Sequence, residues 1–424
     1  MDKSGLAPRR TALYLLDQIT GEGRLMAEMV AGGVLERLAP EERARAQGLV
    51  MDTLRGMERA DRMLQKHLRK EPSLTVKNAL RLGVIEICAR REAGHGVVNS
   101  YVELISRDKR NNLLKGLVNA VLRKFTGDGP DAWDKLRTPR MPKWLRDPLA
   151  EAWGAKAISD METAHFAGAP LDLTPKGDAA ELAERLGGEL LPTGSVRLRD
   201  PGQVTALAGY EAGDWWVQDA AAALPAKILN AQAGETVLDL CSAPGGKTLQ
   251  MANAGANVTA LDINEDRLKR VHENLERCGL TATVVQGDAL EHEGKYDAIL
   301  LDAPCSATGT IRRHPDLPYA KDGSGFFALI ELQEVMLDRA LSLLKPGGRL
   351  IYCTCSLLPD EGEVQIEELL ARNPNVQVDT AATDLPWVED AWRSPEGGLR
   401  LRPDFWADKG GMDGFYMACL RLTA

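Results

Sequence analysis

A chain of 424 residues exceeds what one hydrophobic core organises, so two or three domains are expected. Hydrophobic content of 44% and charged content of 27% are ordinary globular values, and no apolar run approaches the ~18 residues a membrane span needs. The net charge of −9 conceals an asymmetry: residues 1–130 carry 23 Lys+Arg against 16 Asp+Glu, and the remainder 29 against 45. A basic first third on an acidic body points to a polyanion-binding module, unless the charge is simply uneven. The start, MDKSGLAPRR, lacks the apolar core of a signal peptide, and the seven cysteines include no C-x-x-C pair. Reduced thiols in a cytoplasmic protein are expected; nothing sets the oligomeric state, and a monomer is compatible.

Residues 1–128 read as an all-α domain. Leu13, Leu16 and Ile19, then Leu80, Val84, Ile87 and Cys88, recur at helical spacing. Within it, Arg107–Lys124 holds Arg107, Lys109, Arg110, Lys115, Arg123 and Lys124 against one acid, Asp108. These are the solvated side of a helix whose apolar side is Leu113, Leu114, Leu117, Val118 and Val121, a phosphate-contacting surface, or both. Prolines and glycines interrupt residues 129–170, but Trp133, Trp144 and Trp153 lie among them, so this reads as a connector that packs rather than a free linker. Residues 171–225 alternate strand-like LDLT, helical DAAELAERLG and strand-like SVRLR and WWV, a small α/β module of RRM-like character. From 226 to 424, strand-like TVLDL, NVTALDI, TATVVQGD, YDAILLDAP and RLIYCTCS alternate with helical stretches. That pattern predicts a mostly parallel, doubly wound sheet whose ligands bind beyond the carboxyl ends of its strands.

The informative residues fall there. Val237–Leu240 runs into Pro244-Gly245-Gly246 and a helix, a strand–turn–helix geometry that lets backbone N–H groups approach a cofactor. A phosphate loop would need glycine where Cys241 stands, and no G-x-G-x-x-G is present. Asp262, 23 residues after Asp239, is placed to accept from ribose hydroxyls, or to cap the following helix. With Asp288 in QGDAL it outlines a cleft suited to an adenosine that bears no acidic group. Asp302-Ala-Pro-Cys305 and Cys353-Thr-Cys355-Ser356 bring cysteines on separate strands to one sheet edge. Buried small hydrophobes and a zinc site are the other readings, but C-x-C is not a common zinc spacing and no histidines cluster nearby. What remains is a thiolate nucleophile beside a carboxyl group and a cofactor. Ile311-Arg312-Arg313-His314, after the fourth strand, is expected either to meet backbone phosphates or to form a solvated turn.

LDLCSAPGGKT, LDIN, GDAL, LLDAPCSATGTIRRHPD and YCTCSLLPDEGE resemble, in order, the motifs of the RNA cytosine-C5 methyltransferases that use S-adenosylmethionine. HGVVNSYVELISR and GLVNAVLRKF resemble the NusB-like RNA-binding domain, and the fusion resembles the bacterial 16S rRNA methyltransferases of the RsmB type. The resemblance implies a multi-domain chain: an all-α NusB-like domain, a small α/β module and a Rossmann-like class I methyltransferase domain. It implies RNA, 16S rRNA above all, as partner and S-adenosylmethionine as cofactor, with no metal. Cys241, Ser242, Ala243, Pro244, Gly245, Gly246 and Lys247 would hold the methionine portion and ribose, Asp262 the ribose hydroxyls, and Asp288 the adenine side. Cys355 matches the family nucleophile, Cys305 the cysteine that resolves the covalent intermediate, and Asp302 would face both cofactor and cytosine. Lys247 is expected at the methionine end. LPYAKDGSG, after the HPD, is less basic than the family pattern, and DLTPKGD fits the preceding module poorly. A tRNA substrate, a DNA cytosine-C5 enzyme with Cys305 as nucleophile, and a non-catalytic RNA-binding assembly factor are the alternatives.

Overall fold

The computed structural model describes residues 5–422, which divide into two compact units: residues up to Gly168 with Ile311–Gly323, and Ala169–Thr310 with the chain from Ser324 onward. The first unit is helical, with helices at Leu6–Glu22, Met26–Ala31, Pro40–Gln65, Leu74–Val84, Gly94–Arg107, Lys115–Leu122, Gly129–Asp134 and Lys143–Ala167. Apolar residues at helical spacing build its core: Leu15, Leu16 and Ile19 of the first helix meet Leu49, Leu54, Val76, Leu80, Ile87 and Tyr101. Gly23, at φ 67°, ends the first helix in a conformation that side chains rarely adopt. Inside this core Glu86 is fully buried between Arg9, at 2.7 Å, and Arg45, at 2.9 Å.

Residues 129–168 hold two helices that belong to this unit. Trp133 is buried in the helical core, and the guanidinium of Arg59 lies 5.5 Å from its ring and 4.4 Å from that of Phe166. The helix Lys143–Ala167 is broken at Gly154, whose φ of 82° and ψ of 155° interrupt the turn. Two expectations are corrected here. Ile311 and Arg312 are buried rather than free to meet phosphates. Their segment is anchored by Asp316, which accepts from Met26 N–H at 2.9 Å, and by Pro318 O, which accepts from Trp144 Nε1 at 3.1 Å. Burial first, and then the charge of Arg312, push the enclosed His165 imidazole down to about 3. Leu113, expected on the apolar side of a basic helix, is 93% exposed, because Asn112–Leu114 is a tight 3-10 turn that resets the helical phase.

The second unit contains two sheets. Strands β1 (Leu171–Pro175), β2 (Glu189–Leu190), β3 (Val196–Leu198) and β4 (Trp215–Val217) form an antiparallel sheet in the order β2-β3-β1-β4. Leu173, Val196, Leu198 and Trp215 bury one face beneath Leu182 of helix Ala179–Leu186, which Asp178 caps. The larger sheet comprises β5 (Thr236–Leu240), β6 (Asn257–Asp262), β7 (Thr283–Gln286), β8 (Tyr296–Asp302), β9 (Leu344–Thr354), β10 (Val376–Val378), β11 (Leu399–Leu401) and β12 (Phe415–Leu422). Its order is β10-β12-β9-β8-β5-β6-β7, with β11 on β12. Strands β5 to β9 run parallel; β12 runs antiparallel to β9, and β10 and β11 each pair antiparallel with β12. This is a Rossmann-like, doubly wound architecture with a mixed edge. Val237 and Leu238, like Ala298 and Ile299, contribute to cores on opposite faces, as their unbroken apolar runs require. Helix Glu265–Cys278 covers one face with Leu268, Val271, Leu275 and Cys278; Asn264 caps its start and Gly279, at φ 59°, ends it. No helix among the described residues is long and apolar enough to cross a membrane.

Candidate active site

The carboxyl ends of β5, β6, β8 and β9 converge, as their parallel register demands. After β5 the chain turns through Cys241, whose φ of 60° is left-handed, and Gly245, at φ 99°, into the helix Gly246–Asn253. Beneath this turn Asp262, buried at the end of β6, accepts from Ala243 N–H at 3.1 Å and Asn264 N–H at 2.9 Å. Both positions read from the sequence are thus joined: the acid buttresses the glycine turn. Asp288 is exposed and turns back on Leu290 N–H at 2.9 Å.

Between β5 and β8 lies a second group. Lys247 Nζ reaches Asp302 Oδ2 at 2.7 Å, 5.3 Å from the Phe415 ring. Its long stem carries the ammonium to the β8 carboxylate. Burial opposes its charge, but Asp302 and the neighbouring groups outweigh that and raise its pKa above the ordinary lysine value. Burial likewise raises the Asp239 carboxyl to about 7 and the Cys241 thiol to about 12. Asp239 Oδ2 accepts from Thr248 Oγ1 at 2.5 Å, whereas Asp239 Oδ1 and Ser242 Oγ are buried with no hydrogen-bond partner.

The third group is the cysteines. Cys305 and Cys355, half-buried on the loops after β8 and β9, have their Sγ atoms 3.5 Å apart. Cys353, two residues earlier on β9, is buried, with Sγ 3.5 Å from Asp302 Oδ1; burial pushes its thiol up. Cys305 is also raised well above the ordinary thiol value, first by its hydrogen bond to Cys355 and then by burial. Gly309 N–H donates to Cys355 O at 2.9 Å and Gly414 N–H donates to Gly309 O at 2.8 Å, so the two loops are in backbone contact.

Residues 226–421 match the family model "16S rRNA methyltransferase RsmB/F", and residues 6–127 match the NusB family. The chain is 33% identical to ribosomal RNA small subunit methyltransferase B of Cronobacter sakazakii, over 93% of this chain and 97% of that one. It belongs to the RsmB/F methyltransferase family. Among solved structures, PH0851 superposes with a TM-score of 0.75 at 21% identity, covering 97% of this chain and 98% of its own. NSun6 from Pyrococcus horikoshii with SFG gives 0.57 at 18% identity, over 67% of this chain and 98% of its own; at these identities both show the fold.

Family membership makes the chain an S-adenosylmethionine-dependent rRNA methyltransferase. The site fits that cofactor. A glycine turn at a helix N-terminus admits close approach, the orphaned buried atoms Asp239 Oδ1 and Ser242 Oγ lie at the turn, and three aspartates suit a cationic sulfonium. Among the described residues, no group of three or more His, Cys, Asp or Glu is placed to hold a metal ion. Sequence reading missed Glu361, fully buried and bonded to Ser306 beside Cys305, and Arg400, bonded to Glu363 and to the carbonyl of Ser356 beside Cys355. The only signal for Glu361 was its place in the PDEGE run.

Proposed function

We propose that this enzyme methylates C5 of a cytosine in 16S ribosomal RNA through a covalent bond between Cys355 and C6 of the base. The reading rests on the Cys305–Cys355 pair, 3.5 Å apart at the sheet edge beside the Asp302–Lys247 pair. Residues 241–247 with Asp262, Asp288 and Asp302 would hold the cofactor, whose sulfonium would supply an electrophilic methyl group. Cytosine C5 is a weak nucleophile until a group adds at C6. Cys355 sulfur adds there, and the ring electrons shift so that C5 gains carbanion character. The Asp302–Lys247 pair faces the ring nitrogen where charge develops: Asp302 delivers a proton there and takes one from the Lys247 ammonium, so the nitrogen is neutralised as sulfur adds. After methylation a water molecule takes the C5 proton, the C5–H electron pair re-forms the C5–C6 double bond, and the C6–S bond breaks with its electrons returning to Cys355. The Cys305 thiol, in hydrogen-bond reach, stabilises the departing thiolate. The target base must leave its stack to reach the sheet edge, so an unpaired cytosine is the substrate. The exposed cations Arg107, Lys109, Arg110, Lys115, Arg123 and Lys124 of the basic first domain, residues 1–128, bind the RNA backbone, and the cytoplasm is where the enzyme acts.

Cys305→Ala and Cys355→Ala variants incubated with small-subunit RNA and S-adenosylmethionine test this on denaturing gels. Cys305→Ala is expected to trap an RNA-linked protein, and Cys355→Ala to give neither adduct nor 5-methylcytosine. The reverse pattern would make Cys305 the nucleophile.

A further inference from the structure

Glu361 lies in the run after Cys355, is fully buried, and takes no part in the steps above. Its carboxylate accepts from Ser306 N–H at 2.8 Å and from Ser306 Oγ, and so fixes the residue that follows Cys305. Gln333 Nε2 donates both to Glu361 Oε1, at 3.1 Å, and to Pro304 O, at 2.8 Å, and so fixes the residue before it. The backbone carbonyl of Glu361 accepts from Tyr352 OH and Thr354 Oγ1 on β9, each at 2.9 Å, on the strand that leads to Cys355. Ser306 Oγ also stands 3.1 Å from Ser356 Oγ, next to Cys355. One residue thus grips the Cys305 loop with its side chain and the Cys355 strand with its main chain.

We propose that Glu361 is the positioning residue that holds Cys305 against Cys355, and that it serves release of the methylated RNA rather than the attack on it. The inference rests on the roles given above to the two cysteines. Cys355 is presented by β9 and by its own backbone bond to Gly309, neither of which needs the carboxylate. Cys305 has both neighbours tied to it directly or through Gln333. The carboxylate's charge, facing neutral N–H and O–H donors, also disfavours a second negative charge on Cys305 and so keeps its proton in place for the departing thiolate. An amide in the same position would still accept from Ser306 N–H and would turn its N–H₂ on the Ser306 hydroxyl, so it removes the charge and replaces the two charge-assisted bonds with weaker neutral ones.

The full-length variants Glu361→Gln and Ser306→Ala, assayed with RNA and S-adenosylmethionine, test this. Glu361→Gln is expected to lower kcat on the order of 10²-fold, with KM for both substrates unchanged, and to accumulate the gel-stable RNA adduct. Ser306→Ala should act in the same direction, more weakly, and the double variant should be no worse than Glu361→Gln alone. A merely structural residue would not trap an adduct. Wild-type turnover in Glu361→Gln, or slowed turnover without adduct while Cys305→Ala still traps one, overturns the proposal. If Glu361→Gln does not fold, Ser306→Ala carries the test: slowed turnover with adduct supports the proposal and wild-type turnover overturns it. An adduct that survives Cys355→Ala in the Glu361→Gln background would sink the cysteine assignment itself.

Discussion

Two glutamates, Glu86 in the helical unit and Glu361 in the methyltransferase unit, are equally inaccessible to solvent, and their surroundings are opposite. Glu86 faces two guanidinium groups, of Arg9 and Arg45. Burial pushes its pKa up, but the hydrogen bonds and charges of Arg9 and Arg45 outweigh that and leave it below the ordinary value. Glu361 instead faces a backbone N–H, a hydroxyl and a carboxamide. A carboxylate neutralised by cations ties helices together, here Arg9 of the first helix and Arg45 of the third. One held by fixed dipoles fixes the groups that carry them, here Ser306 beside Cys305. The first arrangement serves the fold and the second serves the site.

The largest effect that would break this contrast is on stability. Glu86→Ala leaves Arg9 buried without its main partner and is expected to cost about 3–5 kcal/mol in denaturant unfolding, while the folded fraction still forms the Cys355 adduct. A loss below about 1 kcal/mol would mean the arginines are solvated after all. The group's contribution is present above the unfolded pKa and is lost as pH falls through the lower folded value, so Glu86→Ala should also flatten the acid side of the stability profile. Second in size is Gly309→Ala. A Cβ there would stand 2.0 Å from Gly414 O and 2.9 Å from Cys355 O, so the two cysteine loops must part. Turnover should fall on the order of 10²-fold, with S-adenosylmethionine affinity unchanged by calorimetry. Gly116→Ala, with nothing within 4 Å of its added carbon, is the control in the helical unit and should leave turnover as it was.

These sites were unequally legible in the sequence. The strands of the large sheet announce themselves because Ala298–Leu301 is apolar throughout and Val237–Leu240 is apolar but for Asp239, as strands covered on both faces require. The cysteine pair was legible too, since parallel strands must deliver their carboxyl ends to one edge. Arg312 was not: a turn reading IRRHPD looks solvated, and its burial is decided by packing near His165, far away in the sequence. Leu113 was misjudged because a 3-10 turn shifts the helical phase, which composition does not reveal. Glu361 was hidden among surface-like acids, and only the folded chain shows that its carboxylate turns inward onto Ser306.

Asp239 sharpens the contrast by having the opposite sign. Its carboxyl is raised to about 7, chiefly by burial, so between about pH 4 and 7 the folded state binds a proton that the unfolded state has lost. Stability is therefore expected to fall as pH rises through that window and to level off above it. Asp239→Asn should remove the slope in Tm measured from pH 4.5 to 8; an unchanged slope would assign it to another group.

The smallest effect concerns charge that is not buried at all. Asp108 is the one acid in the run from Arg107 to Lys124, and its carboxylate is spent locally, on Asn111 Nδ2 at 2.6 Å and Arg110 N–H at 2.9 Å. Arg107 is paired with Glu103 and Arg123 with Asn119, while Lys109 and Arg110 project from the surface between them. Each exposed cation that contacts a phosphate releases a counterion, so removing it lowers the slope of log K against log salt by about 0.7–0.9. Lys109→Ala with Arg110→Ala should therefore reduce the salt slope of RNA binding by about 1.4–1.8, with the unfolding free energy unchanged. Solvent screens these charges, so the contrast with Glu86 predicts no stability cost. An unchanged salt slope would remove this face from the RNA path.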